Sequence, residues 1–162
     1  MGTNLFDAFT PGTRKVALRM GIVLGGSDGV FPRLLNLVKL GMGGKQGDGE
    51  QYVAWIHQHD VARITEWLIQ HPELDSIVNC TAPEAVKNND MMRIIRKAYG
   101  VPLGLPAPQW LLEIGAHLIG TETELILKSR WVAPQRLLDN GFKFQFPKAE
   151  YAVHDILSIN NS

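Results

Sequence analysis

The sequence predicts an α/β protein followed by a small, mostly helical α+β domain, and three observations lead to this prediction. Nearly continuous apolar runs at 15–24 and 76–81 are typical of strands buried on both faces. Apolar residues at helical spacing follow each run, which gives the strand–helix alternation of an α/β fold. A change of composition near residue 100, with Pro102, Pro106 and Pro108 close together, then separates residues 14–100 from residues 101–162.

The composition describes an ordinary globular chain. Its 162 residues are 45% hydrophobic and 20% charged, which excludes a disordered protein, and 16 basic residues balance 16 acidic ones, which argues against a basic nucleic-acid binder. The single cysteine, Cys80, excludes an internal disulfide framework and favours a reducing compartment. We see no secretory pattern at the start and no apolar stretch of about 20 residues, so we expect a cytoplasmic protein that does not enter the membrane.

The first strand and helix follow a loose lead-in over residues 1–13. The apolar run Lys15–Leu24 predicts one buried strand, and the glycines of 25–29 end it. Residues 30–40 carry apolar side chains on one helical face and predict a helix. The loop that follows, 41–50, holds five glycines.

The second helix is predicted after a short extended segment at 52–56. Asp60 stands where a helix N-cap belongs, because its carboxylate can accept from the unpaired N–H groups of the first turn. One face of the helix is then formed by Val61, Ile64 and Leu68. His71-Pro72 marks its end.

The third strand–helix unit begins with the apolar segment Ser76–Thr81. Asn88 or Asn89 can cap the next helix, whose apolar face is formed by Met91, Ile94, Ile95 and Ala98. Gly100 is expected to end it.

The C-terminal domain, 101–162, is predicted to be mostly helical. Helices are expected after Pro108, over 123–128, over 134–139 and over 149–157. Residues 142–146 alternate aromatic and polar side chains with period two, which predicts a half-buried strand.

The glycine-rich loop 41–50 is the obvious candidate for a phosphate cradle, but it matches neither common template. In a Walker A loop Gly44-Lys45 would be followed by Ser or Thr, and here Gln46 follows. The dinucleotide pattern G-x-G-x-x-G fails at the same Gln46, and the loop follows a helix instead of a strand. Two interpretations stay open, a loop that allows close backbone approach and a loop that faces a substrate.

The remaining chemical candidates are weak. His57, His59 and Asp60 have ligand chemistry, but the chain has no second cluster to complete a metal site, so we predict no metal. His57 can contact a substrate, act as an acid or base, or simply pack beside an acidic helix start. Cys80, inside an apolar strand, is expected to be a buried structural thiol.

Five strings in order resemble a known family. They are Arg19-Met20-Gly21-Ile22-Val23-Leu24-Gly25, Gly41-Met42-Gly43-Gly44 through Gly47-Asp48-Gly49, Trp55-Ile56-His57 with Asp60-Val61, Asn79-Cys80-Thr81-Ala82-Pro83, and Pro134 through Leu137-Leu138 to Gly141-Phe142. Together they resemble the C-terminal half of the extended short-chain dehydrogenase/reductases described as NAD-dependent, sugar-nucleotide epimerase-like proteins, which end in a small domain of unknown function.

The resemblance implies part of a Rossmann-like fold, with 16–24 as the sixth strand of its sheet and 76–81 as the seventh. It implies that Gly25 and Gly26 lie near the nicotinamide end of a cofactor and that Asp60 caps its helix. It also implies a substrate cleft lined by Gly43, Gly44, Gly47, Trp55, Ile56 and His57. A full-length member would use NAD or NADP.

The chain also departs from the family. The Gly-rich turn after the first strand and the catalytic Tyr-x-x-x-Lys are absent, since Tyr52, Tyr99 and Tyr151 are followed four positions later by Ile, Leu and Asp. We therefore assign no catalytic residue and expect no cofactor to bind this chain alone. The resemblance implies the substrate-side portion of a redox enzyme, inactive by itself. The alternative is a stand-alone binding or interaction module derived from that family.

The expected partner follows from the sheet. Late strands without their neighbours would leave an apolar edge with unpaired backbone groups, which is a known cause of association. We expect the chain either to dock on an N-terminal half or to self-associate through this edge.

Overall fold

The computed structural model describes residues 5–26, 29–106 and 131–159, which form a mixed α/β structure. The predicted helices after Pro108 and over 123–128 lie outside these residues. In chain order the elements are a 3-10 turn at Leu5–Asp7, β1 (Val16–Met20), β2 (Ile22–Leu24), α1 (Val30–Lys39), β3 (Tyr52–Val53), β4 (Trp55–His57), α2 (Gln58–Gln70), β5 (Ser76–Cys80), β6 (Val86–Lys87), α3 (Asn88–Tyr99), α4 (Gln135–Asp139) and α5 (Ala149–Ile159). No helix within the described ranges is long and apolar enough to cross a membrane.

The strands pair in three small sheets. β1 pairs in parallel with β5 and β2 in parallel with β4, while β3 and β6 are antiparallel. The connections between the paired parallel strands contain helices, α1 between β2 and β4 and both α1 and α2 between β1 and β5, which is the α/β arrangement that the apolar runs predicted.

The prediction of one strand over 15–24 was wrong, because the backbone changes partner at Gly21. The N–H of Gly21 donates to the carbonyl of Cys80 at 3.1 Å, and the next N–H, of Ile22, donates to the carbonyl of Ala54 at 2.8 Å. A Cβ at position 21 would lie 2.7 Å from that Ala54 oxygen, so only glycine fits where the chain crosses from one sheet to the other.

Two apolar cores hold the elements together. One is formed by α1, α3 and α5 around Trp55, so the C-terminal helix shares a core with elements that precede residue 100. The other joins β4, α2, β5 and α4 through Ile56, Ile64, Val78 and Leu137. The boundary near residue 100 stays a prediction.

The start of α2 differs from the prediction. The helix begins at Gln58, and its cap is the imidazole of His57, which accepts the N–H of His59 at 3.2 Å. Asp60 is fully buried in the first turn and is not the cap. Its carboxylate accepts the backbone N–H groups of Gln145 and Phe146 instead, each at 2.9 Å.

The same two hydrogen bonds explain why 142–146 is not a strand, as the alternation had predicted. In the described chain this segment has no ladder partner, since two of its N–H groups are used by a side chain. Phe142 and Phe146 are nevertheless buried, one in each core, so the alternation reflects real burial.

The start of α3 also differs. The residue before the helix is Lys87, which makes no side-chain cap, and Asn88 is the first helical residue. The buried amide of Asn88 is used across the fold, accepting the N–H of Gln46 at 2.9 Å. The predicted end is confirmed, since Gly100 follows the helix with φ +83°, a conformation that favours glycine. Helices were also correctly predicted near 30–40, 134–139 and 149–157.

Candidate functional site

A cavity of about 310 Å³ lies at the carboxyl ends of β1 and β5. Its lining includes Met20 and Gly21 at the end of β1, Ala54 between β3 and β4, Thr81 just after β5, and Val30 at the start of α1. In open parallel sheets ligands bind in the crevice outside the carboxyl ends of the strands. The topology therefore makes this cavity the candidate site.

One wall of the cavity is a loop tied down by side chains at the end of β5. The hydroxyl of Thr81 donates to the carbonyl of Val132 at 2.8 Å, and the amide of Asn79 donates to the carbonyl of Ala133 at 3.2 Å. Beside them the ring of Trp131 stacks on Tyr52, with centroids 5.5 Å apart and planes at 27°. The loop at 131–133 is thus held against the cavity from two sides.

The chemistry of the cavity is that of a binding surface. Ile22, Val23, Val30 and Val53 are among the residues that line it, and Arg19 is the charged residue of that lining. Such a surface can enclose an apolar or planar part of a ligand and exclude water from it, while Arg19 can attract an anionic group.

The predicted cleft residues Trp55 and Ile56 lie in the cores. Both are fully buried in β4, and the indole N–H of Trp55 donates to the carbonyl of Glu84 at 2.9 Å. Neither is among the residues that line the cavity at the end of β1.

The predicted cleft glycines lie in the loop after α1, which contacts residues 104–105. The N–H of Gly44 donates to the carbonyl of Leu105 at 2.9 Å, and a Cβ on Gly44 would lie 2.6 Å from that residue's backbone. The guanidinium of Arg96 donates to the carbonyl of Gly43, and Gly47 has φ +62°. The backbone of the loop therefore packs closely against residues 104–105, as expected if its glycines serve to allow close backbone approach. Its contact with a substrate stays a prediction.

Gly25 and Gly26, predicted to lie near a cofactor, follow β2. Gly25 is buried against the side chain of Gln58 at the start of α2, and Gly26 is half-buried. Gly29 and Val30, at the start of the following helix, line the cavity, but Gly25 and Gly26 do not.

His57 lies in a second group of polar side chains. It is fully buried, its ring centroid is 3.9 Å from that of Phe146, and its Nε2 atom is 3.4 Å from Oδ2 of Asp155 on α5. Burial lowers the pKa of His57, and nearby His59 lowers it further, while Asp155 and Asp60 act in the opposite direction.

This group has the residue types of a metal site, but the proton of His57 lies on the ring nitrogen that would have to bind the metal. His57, His59 and Asp155 each place one ligand atom within 4.8 Å of the others. However, the Nδ1 atom of His57 accepts a backbone N–H, so the neutral ring carries its proton on Nε2, the atom that faces Asp155. A metal at Nε2 would have to displace that proton from a ring whose other nitrogen is already an acceptor, which disfavours ligation.

The sequence did not indicate the roles of Asp155 and Phe146. Asp155 is one of several polar residues on an amphipathic helix, and only the packing of α5 brings it to His57. Thr81 and Tyr52 were likewise missed as cavity residues. For Thr81 the position just after β5 was the available signal, because the carboxyl ends of parallel strands meet at one edge. Tyr52 begins β3, which is antiparallel to β6, and no such signal marked it.

Comparisons with known proteins agree with this fold. A family described as "Domain of unknown function (DUF1731)" matches residues 107–156. The epimerase family protein SDR39U1 of mouse is 29% identical over 147 residues, which are 90% of this chain and 49% of that protein. The epimerase family protein YfhF of Bacillus subtilis is 28% identical over 91% of this chain and 47% of its own length.

Solved structures give the same result. The crystal structure of human epimerase family protein SDR39U1 (isoform 2) with NADPH matches with a TM-score of 0.81 and 29% identity, over 94% of this chain and 52% of that one. A nucleoside-diphosphate sugar epimerase from Corynebacterium glutamicum matches with a TM-score of 0.68 and 27% identity, over 90% of this chain and 26% of that one. The chain thus spans about half the length of the curated relatives it matches.

Proposed function

We propose that this chain is the C-terminal, substrate-side portion of an NAD(P)-dependent oxidoreductase of the extended short-chain dehydrogenase/reductase-like epimerase family and is inactive alone. The observation that carries the proposal is the cavity at the carboxyl ends of β1 and β5. It occupies the place where this type of fold binds ligands, in a sequence that has no Tyr-x-x-x-Lys to perform the chemistry.

The residues of this chain do not fit a complete dinucleotide site. Such a site needs a Gly-rich turn between a strand and a helix, with free backbone N–H groups at the helix start. β4 leads directly into α2, whose first turn is occupied by the His57 cap and the buried carboxylate of Asp60. The β2–α1 connection has Gly25, Gly26 and Gly29, whose spacing is not G-x-G-x-x-G. NAD or NADP would therefore be held by the other part of a longer protein.

In this proposal the chain's own residues bind and orient a substrate. The apolar wall of the cavity would exclude water, and Thr81 would act indirectly, because its hydroxyl holds the loop at Val132 in place. The glycine-rich loop that contains Gly43, Gly44 and Gly47 is the second surface that we expect to approach the substrate.

The expected partner is supported by exposed apolar side chains on β1. Leu18 and Met20 align with Val78 and Cys80 of β5 and share a face with them. The β5 residues are buried, but Leu18 is 37% and Met20 54% exposed, and within the described residues β1 pairs on one side only. We propose that this edge receives an N-terminal half or, in its absence, a second copy of the chain, in the reducing cytoplasm.

The first test is to sequence the DNA upstream of Met1 in its source. We expect a segment of about 150 residues, the size of one domain, that carries the Gly-rich turn and Tyr-x-x-x-Lys. If neither this segment nor a separate gene for it exists in that genome, the oxidoreductase proposal fails and the binding-module alternative takes its place.

The second test is NADPH binding, measured by isothermal titration calorimetry. The chain alone should show no saturable binding up to about 1 mM NADPH, where a binding free energy near −4 kcal/mol would be detected. Adding the N-terminal segment should create binding. Binding by the chain alone would contradict the proposal, as would a stable assembly of the two parts that does not bind NADPH.

A further inference from the structure

We propose that His57 is a pH-sensitive latch that joins the start of α2 to the C-terminal helix α5. In its neutral form the imidazole caps α2 through Nδ1 and faces Asp155 of α5 through Nε2. Protonation removes the cap, and the ring cannot move away from the N–H of His59 without opening its contact with Phe146. Protonation therefore loosens the start of α2 against the segment that leads into α5, while the attraction of Asp155 for the charged ring opposes this loosening. This proposal depends on the fold of the chain and not on the function proposed above.

The hydrogen bonding of His57 determines which form fits. Nδ1 accepts the N–H of His59 at 3.2 Å, so it has no proton, and the neutral ring carries its proton on Nε2. That atom is buried and lies 3.4 Å from Oδ2 of Asp155 on α5. The same neutral tautomer therefore caps α2 with Nδ1 and directs its Nε2–H towards Asp155 of α5.

The protonated form does not fit the same surroundings. Its Nδ1–H would face the N–H of His59, two donors with no acceptor between them. The added positive charge would lie at the N-terminus of α2, where the helix dipole disfavours cations. The ring is also fully buried against Phe146, so it cannot turn to solvent without opening the contact with the segment that leads into α5.

The charged groups around the ring act in both directions. Among the described residues, Asp155 of α5 and Asp60 of α2 favour the protonated form, and His59 opposes it. Phe146, which contacts the ring from the segment before α5, is uncharged. Burial is the largest influence and lowers the pKa of His57 below 6.5. A group whose pKa is lowered by folding stabilises the fold above its unfolded pKa, and this contribution is lost as the pH falls through the folded value.

The test is a pH titration followed by NMR on the full chain with labelled histidines. At pH 7.5 we expect the Nε2–H tautomer for His57 and a titration midpoint below 6.5. Backbone amide resonances of α5 should change with the same midpoint. The Nδ1–H tautomer, or an α5 that does not follow the titration of His57, would overturn the proposal.

Two variants separate a latch from a merely buried histidine. Asp155→Asn removes the carboxylate that favours protonation and should lower the midpoint of His57 by roughly half a unit or more, since charges this close shift a pKa by up to about 1–3 units. An unchanged midpoint would show that α5 is not coupled to His57.

His57→Asn keeps an acceptor for the N–H of His59 but cannot titrate between pH 5 and 7. We expect it to reduce the change in thermal stability over that pH range, while the control His59→Gln, at an exposed position, should leave most of that change in place. If His57→Asn fails to fold, the Asp155→Asn titration decides alone. A pH dependence as large in His57→Asn as in the unmodified chain would also overturn the proposal.

Discussion

The carboxylate of Asp60 accepts the backbone N–H of Phe146 at 2.9 Å, and so joins the first turn of α2 to a residue 86 positions later. Its other oxygen accepts the N–H of Gln145 at 2.9 Å and the guanidinium of Arg63 at 2.8 Å. Because Asp60 is fully buried, the N–H groups that it binds have no water to replace it. One side chain therefore fixes the approach of the chain to α5.

Replacing Asp60 by Asn should destabilise the protein by about 1–3 kcal/mol, because one carboxylate oxygen becomes an NH₂ group and leaves a buried N–H unpaired. The measurement is urea unfolding followed by circular dichroism. The matched control is Asp90→Asn, since Asp90 forms the same i,i+3 pair with Arg93, at 2.7 Å, but on the surface. That variant should lose less than about 1 kcal/mol. If both variants lost the same free energy of unfolding, the hydrogen bonds from Asp60 to residues 145–146 would add no stability beyond that of a surface ion pair.

Cys80 should be unreactive in the folded protein. The thiol is 1% exposed, and burial raises its pKa to about 11, so at pH 8 about one molecule in a thousand carries the reactive thiolate. We expect a disulfide reagent such as DTNB to modify the native chain many times more slowly than the chain in 8 M urea. Rapid modification of the native chain would mean that β5 opens readily or lies at an accessible surface.

Gly21→Ala should destabilise the chain by about 1–3 kcal/mol through overpacking. The added methyl group would lie 2.7 Å from the carbonyl oxygen of Ala54 and 3.1 Å from Cγ2 of Thr81. Thermal unfolding measures the loss. Adding Thr81→Ser removes the second contact but not the first, so it should restore little of the stability. Full recovery in the double variant would place the strain at Thr81 and not at the crossing between the sheets.

Local sequence patterns were informative about the fold class and about where helices lie. The α/β class and most helices of the described residues could be predicted, because burial on one face repeats at the helical period and appears as Val61, Ile64 and Leu68 or as Met91 and Ile95. Gly100 could be read as a helix end because few other residues adopt its backbone conformation.

The site was harder to predict, because its residues owe their roles to partners that are distant in the sequence. Asp60 is a residue type typical of helix caps, and its actual role comes from hydrogen bonds to the N–H groups of Gln145 and Phe146. Gly21 lies inside an apolar run, and the carbonyl of Ala54 decides that the strand changes sheet there. No local pattern of sequence contains such contacts.

The exposed apolar edge of β1 gives a prediction about association. Met20→Lys, combined with Leu18→Lys, should make the chain more monomeric in sedimentation velocity, because a charge on an edge strand opposes pairing between strands. Both side chains are partly exposed, so the substitutions should cost little stability. The control is Ile69→Lys on α2, which is 71% exposed and remote in sequence from β1.

If exposed apolar area alone drove association, Ile69→Lys would also reduce it, since Ile69 is more exposed than either Leu18 or Met20. If the open strand edge drives it, only the β1 variant should change the sedimentation coefficient, and the same variant should also fail to assemble with a supplied N-terminal half. Loss of self-association without loss of that assembly would separate the two contacts, and would place the N-terminal partner on a surface other than β1.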